Sequence, residues 1–346
     1  MSKNFLLHFR PRRVPAEGLR FTLTWGLGGM AALMVVLQLA TGLLLGFFYE
    51  PLPVRAYESV QHIQSTIFLG RLVRNMHHWT GHALIIVVFL HLLRVFVNGA
   101  FYPPRRRNWL VGLGLAVLIL TANFSGYLLP WDQLSYWAVT IATSMLAYIP
   151  GIGISLLETM RGGNEVGTAT LQLFYFVHTS LVPAALLLFM AYHFWFVRKA
   201  GGVLVPDTKH TTDGVKTKSV PVAELLIREM AFAAIVTCFL LLFSMVVDAP
   251  LGNMANSEVT PASVKAPWYF LGAQELLLHI HPFVAVCVLP LSISLFLVLL
   301  PFGKSKTGKP GRLITTIFIG GTLFLMGLTV TGILFRGPGM QWVWPW

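Results

Sequence analysis

Seven long apolar stretches constrain this chain more than any other feature of its sequence. Each holds about 20 mostly apolar residues, the length that a helix needs to cross the hydrocarbon core of a bilayer. They cover residues 25–48, 77–97, 109–129, 172–197, 230–248, 282–301 and 314–335. Because lipid offers no hydrogen bonds to the backbone, each stretch is predicted to form a helix. The sequence therefore predicts an all-α integral membrane fold with seven transmembrane helices.

The composition agrees with a membrane protein. The 346 residues are 55% hydrophobic and 11% charged, which leaves too little charge for the surface of a soluble domain. The formal net charge of +12 comes from residues in short loops, so topology explains it better than nucleic-acid binding does. Cys238 and Cys287 lie in apolar stretches and no CxxC occurs, which argues against disulfides, a zinc site and c-type haem attachment.

The loops alternate in their content of Lys and Arg. Residues 1–20, 99–109, 198–229 and 302–313 carry five, three, six and four of them. The intervening loops, 50–74, 131–170 and 249–281, carry three, one and one. By the positive-inside rule, the N-terminus is predicted to be cytoplasmic and the C-terminus to lie outside.

Two stretches outside the spans complete the predicted organisation. Residues 131–160 are moderately apolar and interrupted by Pro150, which indicates short helices on the outer surface. Residues 201–222 are polar and rich in Gly, Thr and Lys, and they are predicted to be a cytoplasmic linker. The chain is thus divided into four spans in 1–200 and three spans in 223–346.

Four intramembrane histidines form two pairs at matching heights. His77 and His91 are 14 residues apart in the second span, about four helical turns, and His178 and His193 are 15 apart in the fourth. Both helices run from outside to inside, so His77 faces the level of His178 and His91 that of His193. Two helices that each offer an upper and a lower imidazole are suited to ligate two stacked b-type haems, non-covalently and with two histidines per iron. The first four spans are therefore predicted to form a di-haem four-helix bundle.

Glycines and arginines at the same levels support this interpretation. Glycines recur 14 residues apart in the first and third spans, where they allow a flat macrocycle to pack against backbone; they are Gly28, Gly42, Gly112 and Gly126. Glycine also serves simple helix packing in membranes, which is the alternative explanation. Arg74 and Arg94 are each three residues from a paired histidine and are candidates to bind haem propionates.

The remaining histidines have no partners at a matching spacing. His78 and His82 are interpreted as neighbours of the haem ligands and not as ligands themselves. His279 and His281 lie near the start of the sixth span, where they are either surface residues or part of a quinone pocket.

The chain resembles cytochrome b of the bc1/b6f family, on the side of cytochrome b6 joined to subunit IV. The resemblance rests on "RNMHHW", "HLLRVF", "HTSLVP" and "YHFWFVRKAGG" in the haem helices and on "GYLLPWDQLSYWAV" at 126–139. The 15-residue histidine spacing in the fourth span is the b6-type pattern. The similarity extends from about residue 10 to 335, and residues 215–335 resemble subunit IV.

The chain departs from the family pattern at two positions. Gly26 stands where b6-type proteins carry a cysteine that holds an extra haem, so no covalent haem is expected. Pro267, in "KAPWYF", stands where the family has a proton-accepting glutamate at its outer quinol site. Glu275 is the nearest acidic residue further on, and we consider two roles for it: the proton acceptor, or a residue facing the outer aqueous surface.

The resemblance implies a proton-translocating core of a quinol:cytochrome c oxidoreductase. Quinol would be oxidised on the outer side, with Tyr136, Ala138, Trp268 and Tyr269 as candidate lining residues. One electron would go to a Rieske iron–sulfur protein, and the other through the two haems to a cytoplasmic-side quinone site. Arg198 and Lys199 are candidates for that site, or else positive-inside anchors. The family further implies a c-type cytochrome partner, a homodimeric complex and a bacterial cytoplasmic or equivalent energy-transducing membrane.

Two other functions compete with this interpretation. A di-haem membrane anchor of another respiratory oxidoreductase would also need four histidines and would exchange electrons with quinone at a single site. It would not need the "PWDQLSYWA" and "PWYF" segments or three extra spans, although the missing glutamate favours it. A transporter with functional histidines offers no reason for two matched pairs.

Overall fold

The computed structural model describes residues 13–16, 25–202, 219–262, 264–303 and 308–344. Within these residues, seven helices are long and apolar enough to cross a membrane, so the predicted number of spans and the all-α membrane fold are confirmed. The first to seventh spans are Leu27–Gly46, Gly70–Val97, Arg106–Tyr127, Thr168–Lys199, Ala223–Val246, Val284–Phe302 and Arg312–Leu334. The second span begins seven residues before the predicted start, because its first turns are polar and pack against the segment that follows the fifth span.

Short elements connect the spans. They are the α-helices Pro53–Ser65, Gln133–Ser144, Gly153–Arg161 and Trp268–Leu277, the 3₁₀ turns Met145–Tyr148 and Pro338–Met340, and a small antiparallel sheet of Arg13–Pro15 with Ser219–Pro221. The predicted interruption at Pro150 lies between two of these helices. Asp132 caps the Gln133–Ser144 helix by accepting a hydrogen bond from the backbone N–H of Ser135 at 2.9 Å. Residues 203–218 of the predicted linker lie outside the described residues, so the division of the chain at 201–222 stays a prediction.

Two spans contain a π-helical turn, which the sequence analysis did not predict. The turns are Val177–Leu181 in the fourth span and Val284–Val288 in the sixth, and each is followed by a proline at the second position of the next α-helical segment. Pro183 and Pro290 have no N–H to donate to the carbonyl four residues back, so the helix widens by one residue. The backbone N–H of Val182 accordingly bonds to the carbonyl of Val177, five residues earlier.

The N-terminal part of the second span is hydrogen-bonded to the end of the fifth span and the segment after it. Asn75, which is 1% exposed, donates to the carbonyl of Ser244 at 2.9 Å and accepts from the N–H of Ala249 at 2.8 Å. The indole of Trp79 donates to the carbonyl of Val247 at 2.8 Å. These side chains lie on one helix face, and burying them requires such partners. The last three spans are therefore held to the first four by specific polar contacts.

Similar contacts join the beginning of the third span to the end of the sixth. The indole of Trp109 donates to the carbonyl of Leu297 at 2.8 Å, and Arg106 donates to the carbonyl of Pro301 at 2.7 Å. Phe96 and Phe101 are fully buried beside Trp109 in the same cluster. Polar contacts near both faces thus fix the position of the C-terminal spans against the bundle.

Candidate functional site

The four paired histidines face one another between the second and fourth spans. The ring centroids of His77 and His178 are 6.0 Å apart, with the ring planes at 79°. Those of His91 and His193 are 6.4 Å apart, with the planes at 76°. The fold therefore brings together the two predicted pairs, one near each end of the bundle.

These separations suit two imidazoles on one metal ion. A metal–nitrogen bond of about 2 Å on each side, added to the half-width of each ring, requires ring centroids roughly 6 Å apart. Direct contact between stacked rings would bring the centroids closer, and an empty gap would leave them further apart. The residues at both levels therefore fit a haem iron with two axial histidines.

The π-helical turn accounts for the unequal spacing of the pairs. His178 lies within the Val177–Leu181 turn, which absorbs one residue more than an α-helical turn does. The 15 residues between His178 and His193 therefore advance about as far around the helix as the 14 between His77 and His91. Pro183 thus keeps His178 and His193 on one face of the fourth span and at the heights of His77 and His91, although the two spacings differ by one residue.

A glycine stands behind each of the four imidazoles. A Cβ atom built on the glycine would meet the Cε1 atom of the histidine ring in every case. These approaches are Gly42 to His77 at 3.1 Å, Gly126 to His178 at 2.5 Å, Gly28 to His91 at 3.4 Å and Gly112 to His193 at 3.5 Å. The 14-residue glycine spacing thus has a cause beyond the predicted packing of a macrocycle, because it makes room for the histidine rings themselves.

Hydrogen bonds set the tautomers of His77 and His178. The hydroxyl of Thr41 donates to the carbonyl of Leu37 at 2.6 Å, so it accepts from Nδ1–H of His77 at 3.0 Å. Nδ1 of His178 lies 2.9 Å from the carbonyl oxygen of Ala122, which can only accept. Both Nδ1 atoms therefore carry the proton and both Nε2 atoms keep a lone pair for a metal. Thr41 was missed by the sequence analysis, since a threonine bonded to its own helix has no distinctive spacing.

The two predicted propionate-binding arginines have different surroundings. Arg74 is buried and donates to the carbonyls of Ala249 at 2.8 Å and Pro250 at 2.6 Å. A propionate at Arg74 would have to share these donors. The guanidinium of Arg94 lies 5.0 Å from the ring centroid of Trp25, in a cation–π arrangement near the inner histidine pair.

The predicted lining residues of the outer quinol site lie in two groups. Tyr136 and Ala138 are buried on the Gln133–Ser144 helix, where Tyr136 packs edge-on against Trp131. Trp268 and Tyr269 begin the Trp268–Leu277 helix, and burial raises the pKa of Tyr269. The two groups lie on separate elements.

The surroundings of Glu275 bear on the two roles considered for it. Its side chain is 1% exposed, which excludes a position on the aqueous surface. Arg336 donates from Nε to Oε2 at 3.0 Å, and Nε2 of His279 lies 3.0 Å from Oε1. The guanidinium of Arg336, followed by His279, holds the pKa of Glu275 below its ordinary value. A carboxylate with these partners is a weak proton acceptor, so the geometry favours a role in joining the Trp268–Leu277 helix to the end of the seventh span.

The candidates for a cytoplasmic-side site lie at the end of the fourth span. Arg198 and Lys199 are both exposed in its last turn, where cations also stabilise the helix C-terminus. His281 packs edge-on against Tyr148, with ring centroids 5.8 Å apart.

Comparisons with known proteins agree with these features. A family model described as cytochrome b/b6/petB matches residues 16–201. The cytochrome b6 of Cyanidium caldarium is 41% identical over 174 residues, covering 50% of this chain and 81% of the relative. The cytochrome b6 of Synechococcus elongatus is 41% identical over 175 residues, covering 51% and 81%. A solved structure titled "Hyperthermophilic respiratory Complex III" superposes with a TM-score of 0.82 at 27% identity, covering 95% of this chain and 87% of the other.

Proposed function

The chain belongs to the cytochrome b/b6 family, and from this premise we propose that it oxidises quinol on the outer side of the membrane and reduces quinone on the cytoplasmic side, coupled to proton translocation. It is a multi-pass membrane protein and a cytochrome b subunit of a quinol oxidoreductase. The proposal assigns its cofactors, its two quinone sites and its partners.

One observation carries the proposal, namely the two histidine pairs at separations of 6.0 and 6.4 Å. We assign His77 and His178 as the residues that would hold an outer b-type haem, and His91 and His193 as those that would hold an inner one. A haem held by two histidines would supply one-electron transfer at each level. The chain's contribution is to orient the imidazoles through Thr41 and the carbonyl of Ala122 and to hold them far apart along the bundle.

The outer quinol site is proposed near the beginning of the Trp268–Leu277 helix. Trp268 and Tyr269 would contact the ring of the quinol, and Tyr136 and Ala138 on the Gln133–Ser144 helix are further candidates for its lining. Quinol oxidation releases two protons and two electrons, and we expect a Rieske iron–sulfur protein to accept one of these electrons. The cytoplasmic-side site would use the positive charges of Arg198 and Lys199 to stabilise the negative charge that develops on the quinone oxygens as electrons arrive, before protons from the cytoplasm neutralise it.

The proposed membrane orientation rests on the charges of the loops, and the proposed partners rest on the family. The excess of Lys and Arg on alternate loops favours a cytoplasmic N-terminus and an outer C-terminus. A Rieske protein, a c-type cytochrome and a second copy of the complex are the proposed partners in a bacterial cytoplasmic membrane. A complex III as structural neighbour supports membership of a multisubunit complex.

A second candidate function is that of a di-haem anchor with one quinone site. Pro267 favours it, because this position offers no carboxylate to accept a quinol proton. The "PWDQLSYWA" segment and the three further spans favour the first function.

A redox-titrated optical spectrum of the purified complex, with a haem stain on a denaturing gel, tests the assignment. We expect two b-type components and no stained band for this chain, since Gly26 offers no thiol. His178→Leu should abolish the outer component and His193→Leu the inner one, each leaving the other component in place. A complex without b-type haem, or variants that both lose the same component, would contradict the proposal. Quinol turnover with no electron delivered to an iron–sulfur partner would favour the second candidate.

A further inference from the structure

Two histidines of the second span take no part in the haem pairs. His78 and His82 are one turn apart, with ring centroids separated by 4.5 Å. Both line a cavity of about 530 Å³, together with Phe239 and Phe243 of the fifth span and Trp268. This volume lies within the range of about 300–1,000 Å³ that is typical of small-molecule sites.

A hydrogen bond fixes the tautomer of His82. The indole Nε1–H of Trp268 donates to Nδ1 of His82 at 2.6 Å. Because an indole can only donate, Nδ1 holds a lone pair and the neutral ring carries its proton on Nε2. Among the residues that the structure describes, none accepts a hydrogen bond from this Nε2–H. His82 therefore has a free donor.

Apart from His78 and Tyr127, the cavity around this donor is lined by apolar and aromatic residues. The ring of His82 packs against Trp268, with centroids 6.3 Å apart, and Trp79 packs edge-on against Phe243 at 5.3 Å. An imidazole donor left unsatisfied inside a membrane protein is costly, so a ligand with an acceptor oxygen would be favoured there. Phe239, on the rim, is 66% exposed, which opens the cavity toward lipid.

These features describe the chemistry of the ligand. It must be soluble in lipid, carry a flat ring that stacks on aromatic side chains, and present an oxygen that accepts a hydrogen bond. A quinone or quinol headgroup has these properties. Pro267 also lines the cavity, so the position that lacks the family's glutamate is beside the free donor of His82.

We propose that His82 positions the quinone headgroup in this cavity by donating a hydrogen bond from Nε2 to a ring oxygen, with Trp268 holding the imidazole in the donating tautomer. The inference rests on the proposed quinol oxidation and adds the residue that orients its substrate. It also gives the second span a role in addition to haem ligation.

The test compares three substitutions at two positions in the purified complex, assayed with a short-chain quinol. His82→Phe removes the donor, and we expect the KM to rise about three- to ten-fold, the effect of one lost hydrogen bond, with a smaller change in kcat. His82→Gln should restore the wild-type KM, because an amide can accept from Trp268 and donate to the quinone. Trp268→Phe removes the hydrogen bond that fixes the tautomer of His82. The imidazole can still donate from Nε2 in one of its two tautomers, so the KM should rise by less than in His82→Phe.

Controls separate this inference from the proposed function. His62→Phe, on an exposed histidine of the Pro53–Ser65 helix, should leave KM and kcat unchanged. An unchanged KM in His82→Phe, with both haem components and turnover intact, would overturn the role of His82 and leave the proposed function standing. A wild-type complex without haem or turnover would instead contradict the proposed function. If His82→Gln shared the defect of His82→Phe, the role of His82 as donor would also be rejected.

A second measurement does not depend on the folding of variants. A photoreactive quinone bound to the wild-type complex should label peptides containing residues 78–86 or 239–243, and excess unlabelled quinone should prevent the labelling. Labelling confined to other segments would contradict the proposed site.

Discussion

The first four spans and the last three contribute to the molecule in different ways. In the first four, the important residues repeat along single helices, as in the histidines and glycines that stand about 14 residues apart. In the last three, the important contacts join residues far apart in the chain. Trp268 meets His82, 186 residues away, and Glu275 meets Arg336, 61 residues away.

This difference determines what each region does. Repeated residues on rigid helices fix two similar sites at set heights, as two haems require. Single long-range contacts position one helix, Trp268–Leu277, beside the bundle and shape a cavity between the second and fifth spans. We infer that the first region holds the cofactors and that the second region shapes the proposed substrate site.

The largest effect that we expect within the bundle comes from the glycines. Gly126→Ala places a Cβ 2.5 Å from Cε1 of His178, which forces the ring to move, whereas Gly112→Ala makes an ordinary contact of 3.5 Å with His193. Overpacking of this kind costs up to about 3 kcal/mol, enough to lower haem occupancy more than ten-fold.

The haem-to-protein ratio and the reduced-minus-oxidised spectrum measure this effect. The Gly126→Ala variant should lose most of the outer haem component, and the Gly112→Ala variant should retain both haem components. Equal losses in the two variants would show that the glycines serve helix packing in general, and the two levels of the bundle would then be alike.

Much of the bundle was predictable from the sequence, because hydropathy and helical spacing are local signals. The seven spans and the meeting of His77 with His178 follow from them. The π-helical turn at Val177–Leu181 was not predicted, although Pro183 two residues later was a visible signal. The partners of Trp268 and Glu275 could not be predicted, since no local pattern shows which distant side chain a single polar residue will contact.

An intermediate effect is expected from the buried ion pair of the C-terminal region. Glu275→Gln removes the charge that faces Arg336 but keeps an acceptor oxygen, so it should destabilise the complex by about 1.5 kcal/mol, the lower end of the range for a hydrogen bond to a charged group. Thermal unfolding measures the loss, with Glu258→Gln, an exposed glutamate nearby, as the matched control. Both haem components should be unchanged.

The pH dependence of this effect has a defined sign. The pKa of Glu275 is lower in the folded protein than the ordinary value of 4.5, so its contribution is complete above that value and is lost as the pH falls through the lowered pKa. Wild type and Glu275→Gln should therefore differ at pH 7 and converge in acid. A variant that unfolds like wild type but loses quinol turnover would restore the hypothesis that Glu275 accepts the quinol proton.

The smallest effect distinguishes the outer histidine pair from the inner one. Thr41→Val keeps the shape of the side chain but removes the acceptor for Nδ1–H of His77. A ligand without this bond is less basic and stabilises oxidised iron less, so the potential of the outer component should rise. A loss of about 0.5–1 kcal/mol corresponds to a rise of roughly 20–40 mV for one electron. Potentiometric titration measures the shift. Thr121→Val, at a half-buried threonine bonded to its own helix in the same way, should change neither potential. Because the hydroxyl of Thr41 contacts His77 and neither histidine of the inner pair among the described residues, an equal shift in both components would mean that it acts through the packing of the first span and not through His77.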